Sequence, residues 1–185
     1  MIMTENSHQI KDGADRYSTL YEDIDKVKNY LNTGSNFGGD GFSRWYDNEE
    51  VVAVAIMNDP SAFRYASERL RGDRDFALKA IIEDGYCLKF VSLRLSEDRD
   101  FIFDVVRLNS ENLLYVSADF KDDEKIVLEA VKQDEGAILY ASQRLRDMVN
   151  SSGTVKVIES SILSQELRQS LIAKPESVKT KKMKI

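Results

Sequence analysis

The sequence predicts an all-α fold of tandem helix hairpins, stacked as a short α-solenoid with a capping helix at each end. Two observations predict it. Residues 48 to 147 spell one 25-residue pattern four times without a gap, in copies opening at Asn48, Asp73, Asp98 and Asp123. Self-similarity at a fixed short period marks a repeat architecture. The second observation is the character of the aligned columns. An apolar column (Val51, Phe76, Phe101, Ile126) follows three residues after the opening, then a small one (Ala55, Ala80, Val105, Ala130). An aromatic column (Tyr65, Phe90, Tyr115, Tyr140), a serine column (Ser67, Ser92, Ser117, Ser142) and a closing apolar one (Leu70, Leu95, Phe120, Leu145) complete each copy.

Four segments follow in order. In residues 1–46, Met1 to Arg16 is polar and aperiodic and reads as disordered. Leu20, Ile24, Val27 and Leu31 then recur at helical spacing over residues 17–32. Ser18 or Thr19 is the expected cap of this helix and Gly34 its end. The stretch TGSNFGGDGFSRWY, residues 33–46, carries four glycines and four aromatics. It lacks both GK[ST] and GxGxxG spacing, so it reads as a connecting loop rather than a phosphate cradle. Its aromatics Phe37, Phe42, Trp45 and Tyr46 have two readings: a fold-back cap on the open end of the first repeat, or loop anchors for a partner.

Residues 47–147 hold the repeats, each read as two short helices. Asn or Asp in the opening column is a strong N-cap. Columns 51, 52, 55 and 56, in first-copy numbers, form one apolar stripe. A second cap column (Asp59, Asp84, Asn109, Asp134) opens a helix expected to run from about column 60 to column 70, burying columns 62, 63, 66 and 70. So small a hairpin cannot cover its own apolar face, and stacking on neighbours closes the core. Residues 148–173 form the C-terminal capping segment: MVNSSGT as a turn-like linker, then a helix over 155–172 through Ile158, Ile162, Leu163, Leu167 and Leu171. Residues 174–185 are a lysine-rich tail, expected to be disordered. Column 57 runs Met57, Ile82, Arg107, Lys132 and column 64 runs Arg64, Lys89, Leu114, Leu139. These opposite gradients predict that the N-terminal helix covers Val54, Met57 and Ile82, and the C-terminal helix covers Leu114 and Leu139.

Composition bounds the chemistry. The net charge is −6; residues 174–185 contribute +4, leaving −10 on the rest. An acidic body argues against direct nucleic-acid binding. No run of eighteen apolar residues is present, so no membrane span is expected. The N-terminus has no apolar core of signal-peptide length, and Cys87 is the sole cysteine; a cytoplasmic location, including that of a host cell, is the expectation. His8 is the only histidine, so a histidine triad or zinc site has nothing to build on. Cys87 reads as a small packing residue. The pairs Asp73/Asp75 and Asp98/Asp100 read as helix caps and first-turn anions rather than metal ligands. The arginine column (Arg69, Arg94, Arg144, broken by Asp119) reads as a partner of a helix end or of the next cap aspartate. The serine column is expected to bond back to a preceding carbonyl. No catalytic, cofactor or metal site is called for.

The block DEKIVLEAVKQDEGAILYASQRLRD, residues 123–147, resembles the short helical repeat family known as domain of unknown function 4116. The match rests on an acidic cap, VLxAV, a polar turn with glycine, ALxYAS-like spacing and a closing LR; copies one to three match less closely. The resemblance implies a binding role and a bacterial or bacteriophage origin, in effector-like contexts, and carries no catalytic residue. The function expected is non-enzymatic protein–protein recognition, as an effector or as an inhibitor of a protein partner. The alternative is an acidic mimic of nucleic acid that blocks a nucleic-acid-binding enzyme, such as a phage anti-defence protein. An enzyme without a recognisable motif ranks last. The residues expected at the partner surface are Trp45, Tyr46 and Phe42 on the loop, with Asp104, Arg107, Glu129 and Lys132 on the repeats.

Overall fold

The computed structural model describes residues 23–172, and among these every regular element is a helix. Helix α1, Ile24–Asn32, opens at Asp23, whose extended backbone and side-chain bond to the Asp25 amide make it the N-cap. The expected caps Ser18 and Thr19 lie outside the described residues. The segment Met1 to Arg16 and the lysine-rich tail also lie outside them. Gly34 follows α1 with φ 79°, the left-handed conformation that ends helices cheaply.

Each repeat contains three helices, not two. The opening helices are α2 (Glu49–Asn58), α4 (Arg74–Glu83), α6 (Arg99–Leu108) and α8 (Glu124–Gln133). Their caps are the predicted column: Asn48, Asp73, Asp98 and Asp123 accept the amides of Val51, Phe76, Phe101 and Ile126. Columns 51, 52, 55 and 56 are buried in all four copies. Next come 3-10 helices, Pro60–Tyr65, Gly85–Phe90, Ser110–Leu114 and Glu135–Tyr140. Asp59, Asp84, Asn109 and Asp134 each cap one by accepting the amide two residues on. The closing helices are α3 (Glu68–Gly72), α5 (Leu93–Ser96), α7 (Ala118–Lys121) and α9 (Gln143–Ser152). The single second helix expected from the pattern thus divides after the aromatic column. The serine column explains the division. Ser67, Ser92, Ser117 and Ser142 have extended backbones and accept the amides of Leu70, Leu95, Phe120 and Leu145, so they are N-caps rather than back-bonding residues.

Consecutive copies are stapled where closing helices meet. The Ser67, Ser92 and Ser142 amides donate to the carbonyls of Tyr46, Arg71 and Lys121. Beside each staple an arginine reaches the residue just before the repeat: Arg69 to Asp47, Arg94 to the Gly72 carbonyl at 2.6 Å, and Arg144 to Asp122. The serine hydroxyls of Ser67 and Ser142 also donate to Asp47 and Asp122. The arginines therefore reach back to the residue just before their own copy, not forward to the next cap. The junction of copies two and three differs: Asp119 replaces the arginine, and no amide bond joins Ser117 to Ser96.

Of the residues expected beneath the end helices, Val54 is covered and Met57, Ile82, Leu114 and Leu139 are not. Column 54 faces the preceding copy and column 53 the following one. Val54 is accordingly half-buried against α1, whereas the interior residues Lys79, Asp104 and Glu129 are polar. Leu128 in column 53 packs beneath the last helix, α10 (Lys156–Ile172), whose Val155 flank, Ile158 and Ile162 join the core. Met57, Ile82, Leu114 and Leu139 all stay exposed. Met148 through Ser152 is helical, not a linker. Met148 stands where the next cap aspartate would be, and without that competing oxygen α9 runs on to Gly153 at φ 69°.

Asp119→Arg should complete the missing staple and raise stability by about 0.5–1 kcal/mol, read from urea unfolding. Asp47 and Asp122 are held below the ordinary carboxylate range, first by the hydroxyls of Ser67 and Ser142, then by Arg69 and Arg144. A depressed folded-state pKa gives stability that is present above the unfolded value and lost as pH falls through the folded one. Asp122→Asn should therefore flatten the fall of melting temperature with pH below about 4, near the model-peptide aspartate pKa.

Candidate functional site

Two cavities lie at the C-terminal ends of α2, α4 and α6. The first follows from one small residue. Column 53 is Leu78, Phe103 and Leu128 in the later copies, all partly buried against the core, but Ala53 in the first. The shortened side chain leaves a cavity of about 240 Å³ between α2 and α4. Ala53, Ile56, Phe76 and Ala80 form its apolar floor, with Met57, Lys79 and Glu83 around it. Met57 is 71% exposed.

A second cavity, about 460 Å³, lies between copies two and three and shares Glu83 with the first. Ile82 and Leu108, 64% and 50% exposed, line it together with Glu83, Asp84, Asn109 and Asn112. Asn112 stands in a column otherwise filled by Ala62, Cys87 and Ala137. It is 3% exposed, and its Nδ2 donates to the Val105 carbonyl at 2.9 Å. Met57, Ile82 and Leu108 thus mark an apolar edge over two neighbouring hollows.

The loop aromatics are built inward. Phe37 and Phe42 are buried, with ring centroids 5.5 Å apart, and Tyr30 stacks on Phe42. Tyr46 meets Phe37 edge-on, stacks on Tyr65 at 5.9 Å, and donates its hydroxyl to the Gly39 carbonyl. Trp45 is partly buried against the same core. Residues Asp40–Trp45 form a 3-10 helix where a plain loop was expected. Phe42, expected at the partner surface, is a core residue, because the first repeat exposes an apolar end that the loop covers. Gly38 permits the approach: a Cβ there would lie 2.4 Å from the Tyr65 ring.

The four charges expected on the repeats do not converge. Asp104 pairs with Arg74 across α4 and α6. Arg107 and Lys132 are exposed, and Glu129 is half-buried. Residues the pattern did not single out, namely Ala53, Glu83, Gly85 and Asn112, shape the two cavities. Their signal was departure from the rest of their column, as with Ala53 among large residues and Asn112 among small ones.

Other candidates resolve into structure. Cys87 is fully buried, its thiol donates to the Pro60 carbonyl at 3.5 Å, and burial pushes its pKa up to about 12. A thiol so held stays protonated near neutral pH. Asp73 and Asp98 serve as caps. A hollow of about 290 Å³ at the start of α8 is lined by charges that satisfy one another, Arg99 with Asp123, and Arg144 with Asp122 and Glu124. Among the described residues no group of three or more His, Cys, Asp and Glu could hold a metal ion, and no helix is long and apolar enough to cross a membrane.

This is a helical repeat protein. The family described as Domain of unknown function (DUF4116) matches it twice in tandem, over residues 48–96 and 98–146, and the chain belongs to that family. One family unit spans two of the 25-residue copies. No curated protein and no solved structure gave a match.

Phe42→Ala should cost about 3–5 kcal/mol in chemical unfolding, as large-to-small core changes do. Trp45→Ala with Tyr46→Ala should likewise lower the melting midpoint, because both rings close the first repeat.

Proposed function

We propose that this chain is a non-enzymatic protein-recognition module that binds through the edge formed by the C-terminal ends of α2, α4 and α6. The observation carrying this reading is the alignment of Met57, Ile82 and Leu108, exposed on rigid helices above two adjoining cavities. Exposed apolar residues grouped over concavities and rimmed by charge are the usual ground of a protein interface. A repeat array presents such an edge without reordering on binding. The single buried cysteine fits a reducing cytoplasm, where an effector or an inhibitor acts by occupying a surface of its protein partner. The nucleic-acid-mimic reading draws less support. Lys28, Arg69, Arg74, Arg99, Lys125 and Arg144 pair with carboxylates along the body, so its acidity is broken up rather than laid out as a stripe.

The test is selection of peptides from a random displayed library on the full chain. Peptides selected on it should lose at least about tenfold in affinity, equivalent to about 1.4 kcal/mol, for the Met57→Asp, Ile82→Asp variant. The helical signal and melting midpoint should be unchanged, since both side chains are solvent-exposed. Peptides that bind the double variant equally well would place recognition elsewhere, and failure to select any would overturn the reading.

A further inference from the structure

Two departures from the repeat pattern meet at the cavity between copies two and three. Copy three places Asn112 where the other copies have alanine or cysteine. Copy two places Gly85 where the others have Pro60, Ser110 and Glu135. A Cβ at Gly85 would stand 2.1 Å from Asn112 Oδ1, so the asparagine fits only because its neighbour is glycine. The Nδ2 of Asn112 is satisfied by Val105, which fixes the orientation of the amide. Among the described residues nothing donates to its Oδ1, and the residue, 3% exposed overall, lines the cavity. The only buried side-chain nitrogen or oxygen without a partner among the described residues is Arg71 Nε, so Asn112 Oδ1 is reached from the cavity and can accept from a donor that enters it.

The remaining lining defines that donor. Glu83 makes no ion pair among the described residues, and Asp84 uses Oδ1 to cap the Tyr86 amide. No lysine or arginine lines the cavity. Ile82 and Leu108 supply apolar walls beside these acceptors. An aliphatic stem ending in a cationic multi-donor head matches apolar walls with a carboxylate and an amide oxygen at one end. We propose that this cavity receives an arginine or lysine side chain presented by a partner protein, with its stem against Ile82 and Leu108 and its N–H groups shared by Glu83 and Asn112 Oδ1. This rests on the recognition edge proposed above and names the chemistry of the partner residue that enters it. The Ala53 cavity on the other side of Glu83 then suits an apolar residue near that cation.

The experiment is a titration of the full ¹⁵N-labelled chain with N-acetyl-arginine amide, N-acetyl-lysine amide and the uncharged isostere N-acetyl-norleucine amide, read by amide chemical shifts. Saturable shifts at Glu83, Gly85 and Asn112 are expected with at least one cationic probe, and at least fivefold weaker binding with norleucine. Asn112→Ala installs the residue that copies one and four carry, and Glu83→Gln keeps the shape. Each should weaken the cationic probe at least fivefold while leaving the remaining spectrum in place. Norleucine binding as well as the better cation, binding unaffected by either substitution, or no saturable shift with either cation would overturn the proposal. If displayed peptides depend on Ile82 yet carry no arginine or lysine, the recognition edge stands and this assignment alone falls.

Discussion

Everything in this fold depends on side-chain oxygens that start helices. An isolated helix of four to ten residues is far below the length at which helices persist in water. Each copy nevertheless fits three helices into 25 residues, because each begins at a residue whose side chain accepts a first-turn amide. The opening Asn or Asp, the second Asp or Asn and the serine together satisfy N–H groups that would otherwise be orphaned. They also force extended backbone at three fixed places, which sets the turn directions and hence the packing of columns 51, 56, 63 and 70. Packing then supplies the stability that the short helices lack.

The sequence made the repeat legible because that capping chemistry is written in residue types. The period, the opening helices, the buried columns and the second caps all follow from aligned Asp, Asn and apolar positions. The division of the second helix was hidden because serine is compatible with both a cap and a helix interior. Which of Val54, Met57 and Ile82 the first helix covers was also hidden. Columns 53, 54 and 57 are all partly or fully outward on an isolated helix, and only the direction of stacking tells them apart. Once it is known, Val54 among Lys79, Asp104 and Glu129 reads as the end-facing residue.

The candidate site was less legible, for a physical reason. A cavity between repeats is made by what a column lacks relative to its neighbours. Ala53 is an ordinary helix residue until Leu78, Phe103 and Leu128 show what usually fills that space. Gly85 and Asn112 are 27 residues apart in the sequence and become a pair only when adjacent copies stack. The loop aromatics misled in the opposite direction: Trp and Tyr on a glycine-rich loop suggest an exposed anchor, yet an uncovered repeat end is the stronger attraction for them.

The junction of copies two and three, lacking both the arginine and the amide staple, coincides with the boundary between the two family units at residues 96 and 98. The two halves are joined there by side-chain contacts, among them the Arg74–Asp104 ion pair and the Tyr86–Tyr115 ring contact, without the amide staple of the other junctions. The cavity holding Asn112 straddles this seam, with walls from both halves. A group entering it would touch both halves at the junction that has neither the arginine nor the amide tie.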